Sequence, residues 1–363
     1  MPSPPNVPSA PPLRFLLIQR DNIGDLVLST PFIRALRAHY PEARIDALVN
    51  SYNAPVLDRN PHIDVIYTYT KWKHRSAGRT LPQHWWDAWR EFRAMRRTDY
   101  DVAVLLNRGY SRHALRLALS TRARNLAGFV EGHHLLERRV NLPVAIAAVD
   151  RQHIVQQAAS LLRVIAEHRR GTGPLAEDMP PCELFPDPAL RARLTQELPA
   201  IGLLPRSRVV AVQISARKLD QRWPAERFIE LIHALHAKVE CAVLLFWSPG
   251  DEANPFHPGD DAKAKAILDR CEGLPVSGLR ATTLAETVAG FSLAGLMISS
   301  DGGAMHIAAG LHLPIVGMFG ATVLDQWHPW KTRYLALRPP SLNVVDVTVA
   351  DALAAALRLL AEG

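Results

Sequence analysis

The chain is poor in cysteine and in long apolar runs, and it has no excess of acidic residues; each shortage removes a class of protein. Only three cysteines, Cys182, Cys241 and Cys271, occur among 363 residues. An odd, scattered set makes neither a disulfide framework nor a zinc pattern, so each reads as a small buried hydrophobe in a reducing compartment. The first apolar run, Phe15 to Ile18, is four residues long, too short to span a bilayer. The opening Met-Pro-Ser-Pro-Pro lacks the basic and apolar regions of a secretory leader, which makes a cytoplasmic protein the expectation. With 48% hydrophobic and 21% charged residues, a disordered, collagen-like or coiled-coil chain is excluded.

What is present is a basic, aromatic first half. Residues 1–139 carry 21 Lys/Arg against 12 Asp/Glu, and residues 140–363 carry 21 against 23, so the formal charge of +7 is concentrated early. Residues 70–97 hold eight basic and two acidic side chains together with Trp72, Trp85, Trp86 and Trp89, half of the eight tryptophans. Such a stretch suits an anionic partner, or else a solvated helix face over packed tryptophans. No nucleic-acid-binding module accompanies it, and none is expected.

At this length one hydrophobic core is exceeded and two domains are expected. Prolines at 2, 4, 5, 8, 11 and 12 make residues 1–12 a flexible tail. Short apolar runs then alternate with amphipathic stretches. Strands are expected at 14–19, 45–49, 65–69 and 102–106, with a helix from about Leu26 to His39 and another over 154–166. This rhythm means βαβ units and a parallel sheet. Pro and Gly punctuate 169–188 without apolar periodicity, so 171–188 reads as a linker. The rhythm restarts with strands at 209–214, 242–246, 295–299 and 315–319. Helices are expected over 224–238, 262–271, 284–291 and 304–311, and over 348–361 at the end. The division is 13–170, linker, 189–345 and a closing helical segment 346–363: two Rossmann-like α/β domains facing a cleft.

Ligands of open parallel sheets bind beyond the carboxyl ends of the strands, so the loops that follow strands are the candidates. The first, Arg20-Asp21-Asn22-Ile23-Gly24-Asp25, lacks the three-glycine dinucleotide fingerprint, which counts against an NAD enzyme. It places Asp25 at a helix start, either as a cap or as a catalytic carboxylate. Ser299-Ser300-Asp301-Gly302-Gly303-Ala304-Met305-His306 follows a later strand. Its paired glycines allow close approach of a ligand, and a helix start attracts phosphate; a plain tight turn is the other reading.

Three segments in this order resemble glycosyltransferase family 9, the ADP-heptose:lipopolysaccharide heptosyltransferases. They are Leu17 to Pro31 around Gly24-Asp25, Arg222-Trp223-Pro224-Ala225-Glu226-Arg227-Phe228, and Ser300 to Ala309 followed by Pro314 to Gly320. The resemblance covers roughly residues 14–335. It implies an α/β GT-B fold, with an N-terminal acceptor domain and a C-terminal nucleotide-sugar domain. It also implies an inverting transfer from ADP-heptose to an anionic inner-core acceptor, with the ADP-sugar as co-substrate and no bound metal or other cofactor. Asp25 would be the general base. Ser215, Lys218, Arg222, Glu252, Asp301, Gly302, Gly303 and His306 would hold the donor, with Glu252 on the ribose. Lys71, Lys73, Arg75 and Arg79 would meet the anionic, lipid-linked acceptor, and the enzyme would work peripherally at the inner face of the cytoplasmic membrane. Two positions depart from the family pattern: Gly302 stands where a threonine or proline is frequent, and Gln221 where a lysine is frequent. A GT-B enzyme using another nucleotide sugar, or a nucleotide-sugar epimerase, is the alternative.

Overall fold

The computed structural model describes residues 12–69, 92–198, 205–253 and 259–362. Lys71, Lys73, Arg75 and Arg79, the four tryptophans beside them and residues 1–11 therefore lie outside the described residues.

Among the described residues twelve strands form two six-stranded sheets, parallel throughout. The first holds β1 (Arg14–Gln19), β2 (Arg44–Asn50), β3 (Val65–Tyr69), β4 (Val102–Leu105), β5 (Asn125–Val130) and β6 (Leu142–Ala145) in the order β3-β2-β1-β4-β5-β6. The second holds β7 (Val209–Gln213), β8 (Ala242–Phe246), β9 (Val276–Leu279), β10 (Leu296–Ser300), β11 (Ile315–Met318) and β12 (Tyr334–Leu337) in the order β12-β11-β10-β7-β8-β9. Numbered within its own half, the second sheet repeats the order of the first. Each order reverses between the first and fourth strands, β1/β4 and β7/β10, and that is where an open α/β sheet leaves a crevice.

Helices cover the faces: α1 (Ile23–Val27), α2 (Thr30–His39), α3 (Arg112–Ser120), α4 (Ile154–His168), α5 (Pro188–Glu197), α6 (Ala225–Lys238), α7 (Asp261–Arg270), α8 (Leu284–Phe291), α9 (Gly303–Gly310), α10 (Leu324–Trp327) and α11 (Val349–Ala361). Successive strand residues enter different apolar clusters, as a pleat buried on both faces requires. Phe15 and Leu17 join one cluster while Leu16 and Ile18 join another. Val209 and Ala211 share the cluster of Phe15, and Val210 and Val212 sit on the opposite face of their sheet. One continuous core thus spans both sheets.

The single helix expected over 26–39 is two. In a continuous helix Pro31 would have no N–H for the Val27 carbonyl, and its ring would clash there. Instead Thr30 Oγ donates to that carbonyl at 2.8 Å, and Pro31 occupies the first turn of α2. Strands β5, β6, β9 and β12 are absent from the sequence reading. β5 contains Gly128, and β6 carries Pro143 at a sheet edge, where no donor is needed. The stretch 171–188, expected as a linker, is largely exposed up to Asp178 and docked from Met179 onward. Met179 and Cys182 are fully buried in the shared core, Glu183 N–H donates to Thr30 Oγ at 3.1 Å, and Leu184 N–H donates to the Gly310 carbonyl at 2.8 Å. Among the described residues no helix is long and apolar enough to cross a membrane.

Candidate active site

The heads of α1 and α9 meet across the cleft. Each helix follows a strand at a point of order reversal, β1 in one sheet and β10 in the other. The contact is made on glycines. A Cβ built on Gly24 would stand 2.9 Å from His306 Cδ2, and one on Gly303 would stand 3.4 Å from Ile23 Cβ. Gly302, the residue before α9, has φ +155°, a backbone that side-chain-bearing residues avoid. The two glycine-bearing turns singled out in the sequence are thus one site.

Asp25 is the third residue of α1, and Asn22 precedes the helix as its cap. The Asp25 carboxylate accepts the Asn22 N–H at 2.9 Å, closing a capping box. Asp25 is therefore not the N-cap itself: it supports the cap from the third helical position, which is compatible with a catalytic role. Burial raises the carboxyl above its ordinary value of 3.8, and the neighbouring Asp21 charge adds to this, while hydrogen bonds from Asn22 work against it. The turn beneath is held from β4: Asn107 Nδ2 donates to Asp21 Oδ2 at 2.7 Å and to Gln19 Oε1 at 3.2 Å. Asn107 is buried and is missing from the sequence reading, because one asparagine after a four-residue strand carries no pattern.

On the facing side Asp301 Oδ2 accepts from Gln221 Nε2 at 3.0 Å and from Thr322 Oγ at 2.6 Å. Gln221, Asp301 and Thr322 come from three different loops and close a triangle of hydrogen bonds, since Gln221 Nε2 also donates to Thr322 Oγ at 3.2 Å. His306 is 3% exposed and its Nδ1 has no partner. Burial lowers its pKa to about 4 against the pull of Asp301, so it is a neutral imidazole at pH 7 rather than a cation for an anionic ligand.

The remaining donor candidates line the loops after β7 and β8. Ser215 Oγ accepts the Ser248 N–H at 2.8 Å, tying these two loops together. Arg222 Nη1 pairs with Glu252 Oε1 at 2.6 Å, and its Nε donates to the Ala216 carbonyl. Lys218 is exposed. Behind this loop stands a residue the sequence did not flag, Lys263 on α7. Its Nζ donates to the carbonyls of Ile214 at 3.0 Å and Trp223 at 2.6 Å, and burial lowers its pKa to about 8. A lysine on an amphipathic helix looks like any solvated charge, so nothing local marked it.

The two halves are tied beside the site. Arg108 donates to Gln326 Oε1 at 3.0 Å and to the Asp150 carbonyl at 3.2 Å. His153 Nδ1 accepts the Val155 N–H, so its proton is on Nε2, which donates to the His328 carbonyl at 2.9 Å. Burial lowers the His153 pKa to about 3. Among the described residues one group of side chains has metal-ligand spacing, Glu131, His133 and His134 after β5.

Known proteins are similar to this chain over most of its length. The sequence profile of glycosyltransferase family 9 (heptosyltransferase) matches residues 88–348. The chain is 26% identical over 320 residues to lipopolysaccharide heptosyltransferase 3 of Escherichia coli K12, covering 86% of this chain and 84% of that one. It is 22% identical over 357 residues to a putative glycosyltransferase of Haemophilus influenzae, covering 94% and 95%. Among solved structures, the glycosyl transferase family 9 protein of Veillonella parvula superposes with a TM-score of 0.75 at 18% identity, covering 97% and 98%. The ADP-heptose LPS heptosyltransferase II of E. coli gives 0.73 at 20%, covering 96% and 99%. The fold is accordingly GT-B, two Rossmann-like domains facing a cleft, and the chain is a glycosyltransferase that belongs to family 9, the heptosyltransferases.

Proposed function

We propose that this enzyme moves a heptose from ADP-heptose to an anionic, lipid-linked inner-core saccharide with inversion, and that Asp25 is the general base. The observation that carries the reading is the meeting of the α1 and α9 heads: the Gly24 backbone lies against His306, and Asp25 is the next residue. A base must take the proton of the attacking hydroxyl as the glycosidic bond to the diphosphate breaks, and a positioned base contributes roughly 10²–10⁴-fold. Burial and Asp21 raise the proton affinity of Asp25, which favours that step. Negative charge develops on the departing diphosphate. The backbone N–H groups at the start of α9 and the cations Arg222 and Lys218 are the groups offered to it, so no bound metal is invoked.

In this reading residues 13–170 hold the acceptor and residues 189–345 the nucleotide sugar. Ser215, Lys218, Arg222, Glu252, Asp301, Gly302, Gly303 and His306 form the donor side. The basic residues Lys71, Lys73, Arg75 and Arg79 are assigned to the acceptor on charge alone, and an anionic acceptor at a membrane surface places the enzyme peripherally on the cytoplasmic face. A second reading, transfer from a different nucleotide sugar, is favoured by Gln221, which leaves Asp301 without a cationic neighbour at that position.

The test is a thermal-shift panel of ADP, UDP, GDP and their sugars. A ligand at a hundredfold excess over Kd stabilises the native state by about 2.7 kcal/mol. The expected result is a larger shift with ADP and ADP-heptose than with the other nucleotides. Equal shifts, or a preference for UDP, would remove the donor assignment.

A further inference from the structure

The loop after β5 carries a cluster that the proposed transfer does not use. His133 Nε2 lies 3.2 Å and His134 Nε2 3.3 Å from the same atom, Glu131 Oε2, and the three candidate ligand atoms all lie within 4.8 Å of one another. A tetrahedral ion with bonds of about 2.0–2.1 Å sets its ligand atoms about 3.3–3.4 Å apart. Two edges of the cluster thus match the edge of such a shell.

The loop is built to hold this arrangement. The Glu137 side chain accepts backbone N–H groups of Glu131 at 2.8 Å, Gly132 at 3.0 Å and His134 at 3.2 Å. Gly132 turns the chain at φ +89°. The second oxygen of Glu131, Oε1, accepts the Tyr110 N–H at 3.1 Å, so it is held from the loop after β4 while Oε2 faces the imidazoles. The Tyr110 ring stacks on His134 at 3.7 Å between centroids. Both rings are thus presented to one carboxylate oxygen by the same ring nitrogen. Exposed ion pairs of this kind stabilise a fold by only about 0–1 kcal/mol, so stability gives little reason for the convergence.

We propose that Glu131, His133 and His134 form a site for a divalent transition metal of the zinc type. Two imidazoles and one carboxylate suit Zn²⁺ and its neighbours rather than Mg²⁺ or Ca²⁺, which take oxygen ligands. Three protein ligands leave a fourth position for water or an anionic oxygen. Glu137 and the Tyr110 backbone are the outer groups that orient the ligands. The site follows β5, two strands from β1, a lateral separation of ~10 Å. It therefore orders the loop after β5, on which Tyr110 packs, and takes no part in the proton transfer assigned to Asp25.

The experiment is calorimetric titration of the full chain, freed of metal, with Zn²⁺ at pH 7.5, and with Mg²⁺ in parallel. One equivalent of Zn²⁺ is expected to bind and Mg²⁺ to give no heat. That equivalent disappears in the His133→Ala/His134→Ala double variant, and in Glu131→Gln its affinity falls at least tenfold, both with unchanged circular dichroism. The single variant His133→Ala, at a side chain that is 67% exposed, gives the same reading if the double variant folds poorly. Zn²⁺ bound with equal stoichiometry and affinity by wild type and variants, or no binding tighter than 100 μM, overturns the site.

Discussion

Gly24→Ala tests the contact on which the site depends. The new methyl would lie 2.9 Å from His306 Cδ2, against about 3.5–4.0 Å for unstrained carbon atoms. The heads of α1 and α9 must therefore separate by ~0.6–1 Å. His306 cannot give way into solvent, because it is 3% exposed. Overpacking of this kind costs about 1–3 kcal/mol, and replacing a helical glycine with alanine returns about 0.5–1 kcal/mol. The net loss is at most ~2.5 kcal/mol, a fall in Tm of at most ~3 °C for a chain of this size. Catalysis should suffer more, since a misplacement of about 1 Å lowers a rate by about 10²-fold. The assay pairs kcat for sugar transfer with ADP affinity and Tm on the same preparation. A hundredfold loss of kcat, with ADP affinity within a fewfold of wild type, is expected. A kcat near wild type would mean that the two helix heads are not in contact during turnover, and the site as described would be wrong.

Further outcomes follow from individual groups. Asp25→Asn should lower kcat by about 10²-fold or more while leaving ADP affinity unchanged. Its Tm should hold or rise, because burial raises the native Asp25 pKa above 3.8, so the ionised form weakens the fold as pH climbs through that interval. The acid limb of kcat/KM in the wild type should lie above pH 3.8, and Asp21→Asn should move it down by removing a like charge; an unmoved limb would exclude Asp25 as the titrating base. His306 and His153 have native pKa values of about 4 and about 3 against 6.5 when unfolded. Their stabilisation is complete above pH 6.5 and lost as pH falls toward 4 and 3. Urea unfolding should show that decline, and His153→Gln should flatten it. Lys263→Met leaves the Ile214 and Trp223 carbonyls without their donor, at about 1–3 kcal/mol for a buried unsatisfied group. It should also raise the KM for the donor more than it lowers kcat, and an unchanged KM would show that Lys263 does not position the loop from Ser215 to Arg222.

Local order determined what could be read directly from residues. Short Val/Leu/Ile runs between amphipathic stretches specify parallel strands, since a strand buried on both faces is apolar throughout. β3 and β8 have the bounds the sequence implies, Val65–Tyr69 and Ala242–Phe246. Gly24-Asp25 and Asp301-Gly302-Gly303 were legible as candidate ligand turns because glycine and aspartate at helix starts carry a local backbone meaning, and as turns of a glycosyltransferase only through their resemblance to family 9. Tertiary structure alone decided the rest. Edge strands β9 and β12 are only four residues each, too short to show a period, and form because a neighbouring strand offers hydrogen bonds. The docking of 179–188 depends on Met179, Cys182 and Leu184 finding apolar partners on both sheets, and its prolines conceal this. Asn107, Lys263 and the triangle of Gln221, Asp301 and Thr322 join residues up to 101 positions apart, and such partners carry no periodicity for a sequence to show. The reason Gly24 must be glycine lies in the same category: its constraint is the ring of His306, delivered from the other sheet by the packing of one helix head against another.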